Sequence, residues 1–175
     1  TEIIAIDGKT LKGSAKDTAV HIVNAWSTRN NLVLGQLKTA DKSNEITAVP
    51  QLLKELKIKG TIITLDALCT QKDIAEVIQK FEADYVLPLK KNHKKFHASV
   101  KSYLDNTEEL KEIPYLEQTH TGHGRKETRR HWVCAAPKEL EESENWKGLK
   151  SIGKVERVRE TVSGKIKGKT SKETF

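Results

Sequence analysis

Two aspartates stand at the ends of two similar apolar stretches of the sequence. Asp7 follows the run Ile3–Ile6, and Asp66 follows the β-branched stretch at residues 61–65. A carboxylate at the end of a buried strand is costly unless something pairs with it. If both strands are parallel neighbours, each delivers a hard oxygen ligand to the same end of the sheet, which is typical of a divalent-cation site.

A cation held between these two carboxylates would relieve their mutual repulsion. Mg²⁺ at such a position activates a water or a 3′-hydroxyl and stabilises an in-line displacement at phosphorus. The alternative is that Asp7 and Asp66 each cap only the turn or helix that follows. Gly8-Lys9-Thr10 resembles the tail of a phosphate-binding loop, but the upstream glycine and its four-residue spacer are missing, which argues against nucleotide binding.

The elements around the two aspartates follow from hydrophobic periodicity. Ser43 is a plausible N-cap for a first helix, in which Pro50 predicts a kink or restart. Thr70 and Asp73 resemble a capping box for a second helix. Pro88 places the strand that contains it at or near a sheet edge. We predict strands at residues 3–6, 21–27, 32–37, 60–66 and 85–89, and helices at residues 43–57 and 70–81.

The resulting order, β-β-β-α-β-α-β, has a simple topological solution. Three strands joined by short turns form an antiparallel meander. The first, fourth and fifth strands are parallel and joined by right-handed helical crossovers. The predicted fold class is therefore α/β, with a mixed five-stranded sheet and flanking helices, in which the strands that carry Asp7 and Asp66 are neighbours.

The composition and the predicted secondary structure of the chain change near residue 105. We assign residues 1–105 to the core and residues 106–175 to a β-rich basic insertion region. Two strands are expected around the turn Gly122–Gly124. The strands predicted in this region lie at residues 115–121, 125–136, 151–161 and 169–175.

The net charge of +7 lies entirely in the second half of the chain. Residues 1–89 contain eleven basic and eleven acidic side chains, whereas residues 90–175 contain twenty and thirteen. Such asymmetry is the electrostatic footprint of a polyanion partner, although a solvated surface gives the same count. Trp132 is a candidate for stacking on a base. The predicted DNA-contacting residues are Lys9, Lys90, Lys91, Asn92, Lys94, Arg125, Arg129 and Arg130.

Four potential metal ligands follow in the same region. His120, His123, His131 and Cys134 are ligand types that suit structural zinc. However, His131 and Cys134 are three apart on a predicted strand and would point to opposite faces, which favours solvated or DNA-facing roles. Glu127 is a weak candidate for a third metal acid and is equally an ordinary cross-strand ion-pair partner.

Bulk properties limit the class of protein. The chain has 175 residues and 36% hydrophobic content, with a mean hydropathy of -0.60. These values predict a globular chain without membrane contact, because no apolar run approaches the ~18–20 residues of a membrane span. Two cysteines form no disulfide framework and suit a reducing cytoplasm. A chain that opens on a strand without Met is expected to be a piece of a longer protein.

Three long motifs resemble a known family. AIDGKTLKGS at residues 5–14, LKTADKSNEITAVPQLL at residues 37–53 and GTIITLDALCTQKDIAEVIQK at residues 60–80 are similar to the DDE transposases of the ISAs insertion sequences, also called H-repeat-associated proteins. Shorter similarities follow at residues 84–92, 123–129 and 146–160. The resemblance covers essentially the whole chain.

The resemblance implies an RNase H-like core that cleaves and transfers DNA strands with Mg²⁺ or Mn²⁺. It makes Asp7 and Asp66 the first two acids of a DDE triad. The family's third acid lies on a later helix in a Trp-x-x-Glu-Asn type stretch, which this sequence does not contain. We therefore expect a central transposase fragment that is inactive by itself. The implied partners are double-stranded DNA at transposon ends and target, and a second copy in a full-length homodimer, in the bacterial cytoplasm at the nucleoid.

Two alternatives stay open at this point. One is an RNase H-like nuclease with the same pair of aspartates, which would not bind transposon ends specifically. The other is a non-catalytic DNA-binding module in which the basic β-rich region does the work. Divalent-metal titration separates the second alternative from the first, since only a catalytic site needs the two carboxylates.

Overall fold

A computed structural model describes residues 1–11, 20–39, 45–106, 111–162 and 168–175. Nine strands and three helices of more than one turn are assigned within these ranges. The strands are β1 (Ile3–Leu11), β2 (Val20–Ser27), β3 (Leu32–Thr39), β4 (Ile62–Thr64), β5 (Asp84–Val86), β6 (Tyr115–Gly122), β7 (Arg125–Ala135), β8 (Ser151–Thr161) and β9 (Thr170–Thr174). The helices are α1 (Glu45–Glu55), α2 (Lys72–Lys80) and α3 (Lys94–Asp105).

The first five strands form one mixed sheet with the order β3-β2-β1-β4-β5. β1 is antiparallel to β2 and parallel to β4, while β4 is parallel to β5. This confirms the predicted five-stranded sheet, its RNase H-like order and the neighbouring positions of the two aspartate-bearing strands. The short turn between β2 and β3 and the helical crossovers after β3 and β4 account for this order.

The core of this sheet lies under α1 and α2. Ile4 and Ile6 alternate with less buried residues along β1, as expected for a strand with one face on the core. Helix α1 continues through Pro50 to Glu55, so the helix does not restart there. The largest fully buried apolar side chains around the sheet are Ile4, Val23, Val49, Leu52, Leu53, Ile58, Ile63, Ile74 and Ile78.

Several local predictions need correction. The fifth strand ends at Val86, so Pro88 lies beyond it, although β5 is at the sheet edge as expected. The N-cap of α2 is Gln71 and makes no side-chain cap. The Thr70 hydroxyl donates instead to the carbonyl oxygen of Asp66, at 3.0 Å, so no capping box forms. Ser43, the predicted cap of α1, lies outside the described residues.

The remaining strands form a second, antiparallel sheet with the order β6-β7-β8-β9. The β6–β7 hairpin turns at His123 and Gly124, whose φ angles are 49° and 70°. Two successive positive φ angles are the geometry that matches the twist of a two-residue hairpin, and glycine adopts it without strain. The predicted Gly122–Gly124 turn and the strands on either side are therefore present.

The chain divides into two compact units. The first comprises residues 1–94 with the segment 144–148, and the second comprises residues 95–143 and 149–175. This division differs from a boundary at residue 105, because α3 belongs with the second sheet. Among the described residues, no helix is long and apolar enough to cross a membrane.

Candidate active site

Asp7 and Asp66 are placed by the register between β1 and β4. Ile3 pairs with Ile62 and Ala5 with Thr64, an offset of 59 positions, and the same offset relates Asp66 to Asp7. Asp7 is still inside β1, whereas Asp66 lies two residues past the end of β4. Both are exposed. The structure thus delivers both carboxylates to the same end of the sheet, as the sequence pattern predicts.

Hydrogen bonds shape the loop that carries Asp66. The backbone N–H of Cys69 donates to Asp66 Oδ1 at 2.9 Å, so this carboxylate does cap the turn that follows it. The side-chain amide of Asn92 donates to the carbonyl oxygen of Ala67 at 3.0 Å. One oxygen of Asp66 is therefore held by the backbone. The capping role of Asp66 and a metal-binding role are compatible, since a carboxylate accepts several bonds.

A second layer of contacts supports this loop from behind. His93 Nε2 lies 2.6 Å from the carbonyl oxygen of Thr70. The ring of His93 meets the ring of Trp146 edge to face, with centroids 4.9 Å apart, and Trp146 is only 5% exposed. The hydroxyl of Tyr85 donates to the carbonyl oxygen of Lys147 at 2.9 Å. These supports join segments far apart in sequence, and sequence reasoning did not identify them.

A third carboxylate, Glu45, lies at the same end of the sheet. Glu45 is the first residue of α1 and is 3% exposed. Its carboxylate fills the space that a Cβ atom on Gly8 would occupy. The sequence analysis does not single out Glu45, because an acid in the first turn of a helix is ordinarily explained by the helix dipole. The available signal was an acid at the start of the helix after the third strand, together with a glycine directly after Asp7.

The pKa of the Cys69 thiol is affected by the negative charges of this region. Burial, followed by the negative charges of Asp66 and Glu45, a hydrogen bond with Asp66 and the charge of Asp7, raises the pKa of the Cys69 thiol to about 12. The thiol is therefore protonated at neutral pH. All three carboxylates act electrostatically on one buried side chain.

The donor set agrees with a hard divalent cation. Mg²⁺ is usually held by one or two carboxylates together with water and phosphate oxygens. Asp7 and Asp66 are two such carboxylates and are exposed to solvent. Within the described ranges, no group of three or more His, Cys, Asp or Glu side chains is arranged to hold a metal ion. A cation bound by Asp7 and Asp66 would therefore have no more than these two side chains of the described residues as ligands.

The predicted DNA-contacting residues of the first unit differ in their surroundings. Lys9 is exposed two positions beyond Asp7 on β1, and alternation puts both on the same face of the strand. Lys90, Lys91 and Lys94 are exposed after β5. Asn92 lies among them, but its amide binds the loop of Asp66.

The predicted arginines of the second unit do not share one face. Arg125 and Arg129 lie on one face of β7, and Arg130 lies on the other. Arg129 Nη2 is 2.6 Å from Glu127 Oε1, while Arg130 Nε is 2.7 Å from Glu117 Oε2. On the neighbouring strand β8, Arg157 lies opposite Arg129, and Arg159 lies opposite Glu127. We call the face that contains Arg125, Arg129, Arg157 and Arg159, with Glu127 and Glu173, the arginine face.

Trp132 cannot stack on a base in this arrangement. It is 8% exposed, its ring lies 5.4 Å from that of Tyr115, and the Lys154 ammonium lies 5.9 Å from its centroid. The stacking prediction is wrong because Trp132 lies on the buried face of β7. An aromatic at a strand position that alternates inward packs into the core of its own unit.

Glu127 is engaged as an ion-pair partner. Arg159 Nε donates to Glu127 Oε2 at 2.6 Å, and Arg129 contacts the other oxygen. The Arg159 hydrogen bond, with the charges of Arg129 and Arg159, lowers the pKa of the Glu127 carboxyl. This favours the cross-strand pair over the third metal acid. His131 and Cys134 are three apart on the continuous strand β7, as expected for residues on opposite faces.

Comparison with known proteins identifies the family of this chain. The H repeat-associated proteins YhhI and YbfD of Escherichia coli (strain K12), whose names class them with transposases, are 44% and 45% identical over 161 and 148 residues. These matches cover 86% and 79% of this chain but 42% and 57% of the relatives. A solved piggyBac transposase in a synaptic complex with hairpin DNA is similar with a TM-score of 0.44 at 11% identity, over 73% of this chain and 30% of that one.

The chain thus spans about half the length of the relatives it matches. A family model described as the transposase DDE domain matches residues 1–163. With that match over most of the chain and two aspartates in register at one end of the sheet, the protein belongs to the transposase DDE domain family.

Proposed function

We propose that this chain forms part of the catalytic core of a DNA transposase, in which Asp7 and Asp66 hold Mg²⁺ or Mn²⁺ for strand cleavage and transfer. DDE transposases generally use divalent metal ions. The observation that carries the proposal is the shared offset that puts both carboxylates at one sheet end.

In this proposal the residues of the chain have distinct roles in binding the metal ion and the DNA. Asp7 and Asp66 bind the ion, and the Cys69 N–H keeps one oxygen of Asp66 fixed. When bound, such an ion supplies Lewis-acid activation of the attacking water or 3′-hydroxyl and neutralises charge at phosphorus. Lys9 is exposed on the same strand face as Asp7 and would contact the DNA phosphate.

The proposed partner is double-stranded DNA, both transposon ends and target. Support comes from the net charge of +7, from the exposed lysines at residues 90, 91 and 94, and from the arginine face. Four guanidinium groups against two carboxylates leave that face positive. A homodimer in the intact protein, and a bacterial cytoplasmic location at the nucleoid, belong to the same proposal.

Mn²⁺ titration by calorimetry tests the metal site directly. Asp7→Asn and Asp66→Asn each keep the shape and an acceptor oxygen but remove the charge, so we expect Mn²⁺ affinity to fall at least tenfold in each. Asp73→Asn, an exposed acid in the first turn of α2, is the matched control and should leave the affinity unchanged. If Asp7→Asn and Asp66→Asn bind Mn²⁺ like the parent chain, the proposed site is wrong.

A further inference from the structure

A buried side-chain oxygen in the described part of the first sheet has no hydrogen-bond partner. This atom is Oδ1 of Asn24, and no donor among the described residues reaches it. Asn24 lies in the middle of β2, which is paired with β1 on one side and with β3 on the other. A buried acceptor without a donor costs free energy comparable to a lost hydrogen bond. Such an atom requires an explanation, for which an ion or a water is the usual source.

Asn24 is the direct neighbour of Asp7 across the strand ladder. The two residues are paired between β1 and β2, and residues paired in this way point to the same face, with Cβ atoms about 4.5–5.5 Å apart. It is the face opposite the buried side chains of Ile4 and Ile6. Asp7 is exposed there and Asn24 is half-buried. The amide of Asn24 therefore lies beside a carboxylate that is open to solvent.

Asp66 follows on the other side of Asp7. Strand β1 lies between β2 and β4, so Asp7 has Asn24 on one side and, by the register of β1 with β4, Asp66 on the other. Three consecutive positions at one end of the sheet thus carry side-chain oxygens. An ionised carboxylate only accepts hydrogen bonds, and the same is true of an amide oxygen. Acceptors placed side by side are stabilised by a donor or a cation between them.

We infer that Asn24 is a positioning residue of the metal site, whose amide oxygen accepts a hydrogen bond from a water bound to the divalent cation. This role depends on the proposed binding of the cation by Asp7 and Asp66. Mg²⁺ keeps several waters when one or two carboxylates bind it, and each of these waters can donate. Outer-shell partners of this kind orient the ligands of a metal. The torsion about the Cβ–Cγ bond of asparagine is broad, so the oxygen can turn towards such a water without a backbone change.

A buried water that binds Asn24 without any metal would also satisfy the oxygen. The two explanations differ in the metal-free chain. If a metal-bound water is the donor, removal of the amide weakens Mn²⁺ binding and does not lower the stability of the metal-free chain, where the oxygen has no partner. If a permanent water is the donor, the same change lowers the stability and leaves the Mn²⁺ affinity as it was.

The experiment is Mn²⁺ titration of the 175-residue chain by calorimetry, with thermal unfolding of the metal-free protein. Asn24→Leu keeps the approximate size and removes the acceptor. We expect about tenfold weaker Mn²⁺ binding at an unfolding temperature no lower than that of the parent chain. Gln36→Leu is the matched control, because Gln36 is an exposed amide directly opposite Asn24 on β3. It lies one strand further from Asp7 and should leave the Mn²⁺ affinity unchanged.

Asn24→Asp is the conservative variant that should restore binding. It supplies an acceptor at the same place and adds a negative charge beside Asp7. We expect Mn²⁺ binding at least as tight as in the parent chain, together with a lower unfolding temperature of the metal-free protein, because two neighbouring carboxylates repel each other. A purely structural role of Asn24 would not combine a less stable metal-free chain with undiminished metal binding.

The possible results distinguish the role of Asn24 from the proposed metal site. If Asn24→Leu binds Mn²⁺ as tightly as the parent chain, the role of Asn24 is overturned and the Asp7–Asp66 site stands. An equal loss of affinity in Gln36→Leu would also overturn it, since the effect would then belong to the whole face. Should Asn24→Leu fail to fold, Asn24→Asp decides, and weaker binding than in the parent chain overturns the role. If the parent chain binds no Mn²⁺, the metal site and the role of Asn24 are both overturned.

Discussion

The arginine face makes a quantitative prediction about DNA binding. Arg129 and Arg157 lie directly opposite each other on β7 and β8, and like charges in this position repel. Glu127 and Glu173 neutralise them in part. A phosphate backbone would complete the neutralisation. We expect Arg129→Ala with Arg157→Ala to weaken duplex binding and to flatten its dependence on salt.

The magnitude follows from counterion release. Each phosphate contact contributes about 0.9 to the slope of log K against log salt concentration, so two lost contacts lower the slope by about 1.8. Competition from the two glutamates reduces the expected change to between about 1 and 1.8. Fluorescence anisotropy with a labelled duplex, from about 50 to 200 mM salt, measures this slope. The fold should hold, since both ion pairs lie partly in solvent and pairs at the surface contribute only about 0–1 kcal/mol.

Arg130 is the matched control. It lies on the opposite face of β7, where Glu117 and Glu156 hold its guanidinium. Arg130→Ala should leave the slope unchanged, because this side chain lies outside the arginine face and is paired with two carboxylates. An unchanged slope in the Arg129 and Arg157 variant, or an equal loss in Arg130→Ala, would refute a phosphate role for the arginine face.

Two further predictions follow from the pKa shifts. Hydrogen bonds from Lys101 and Lys154 lower the pKa of the Asp105 carboxyl, so its contribution to stability is present above the unfolded-state pKa of about 3.9 and is lost as pH falls through the lower folded value. Thermal unfolding between about pH 2 and 5 should therefore depend less on pH in Asp105→Asn than in the parent chain, and an identical dependence would contradict this. Because burial and the nearby carboxylates raise the pKa of Cys69 to about 12, iodoacetamide at about pH 8 should modify Cys69 only after denaturation. Modification of the native chain at the rate of a free thiol, measured by mass spectrometry, would show that reasoning to be wrong.

Local patterns along the sequence were enough to predict the first sheet. The two β-branched stretches ending on Asp7 and Asp66, with a helical pattern between them, allow few topologies other than parallel neighbours. The alternation of side chains along β7 also puts Arg129 and Arg130 on opposite faces of the strand. Grouping them together as DNA-contacting residues did not take this alternation into account. Long-range packing could not be predicted in this way. Nothing local shows that Trp146 lies on His93, or that Glu45 fills the space beside Gly8.

The two catalytic candidates are held in place by different physical means. Asp7 is inside β1, opposite Asn24 on β2, so ladder hydrogen bonds on a central strand fix it. Asp66 lies beyond β4, and its position depends on a few side-chain contacts, including the bond from Asn92 to the carbonyl oxygen of Ala67. The position of Asp66 is therefore the more sensitive to substitutions outside the site.

Asn92→Ala tests this difference and the role of Asn92 together. Loss of one hydrogen bond should cost about 1 kcal/mol of stability and let the Asp66 loop move, so Mn²⁺ affinity should fall severalfold. The salt slope of DNA binding should not change, because the asparagine carries no charge. Lys91→Ala, the neighbouring exposed residue, is the control and should have the opposite effect, a lower slope at unchanged Mn²⁺ affinity. If Asn92→Ala weakens DNA binding and leaves Mn²⁺ affinity intact, Asn92 contacts DNA and does not hold the loop.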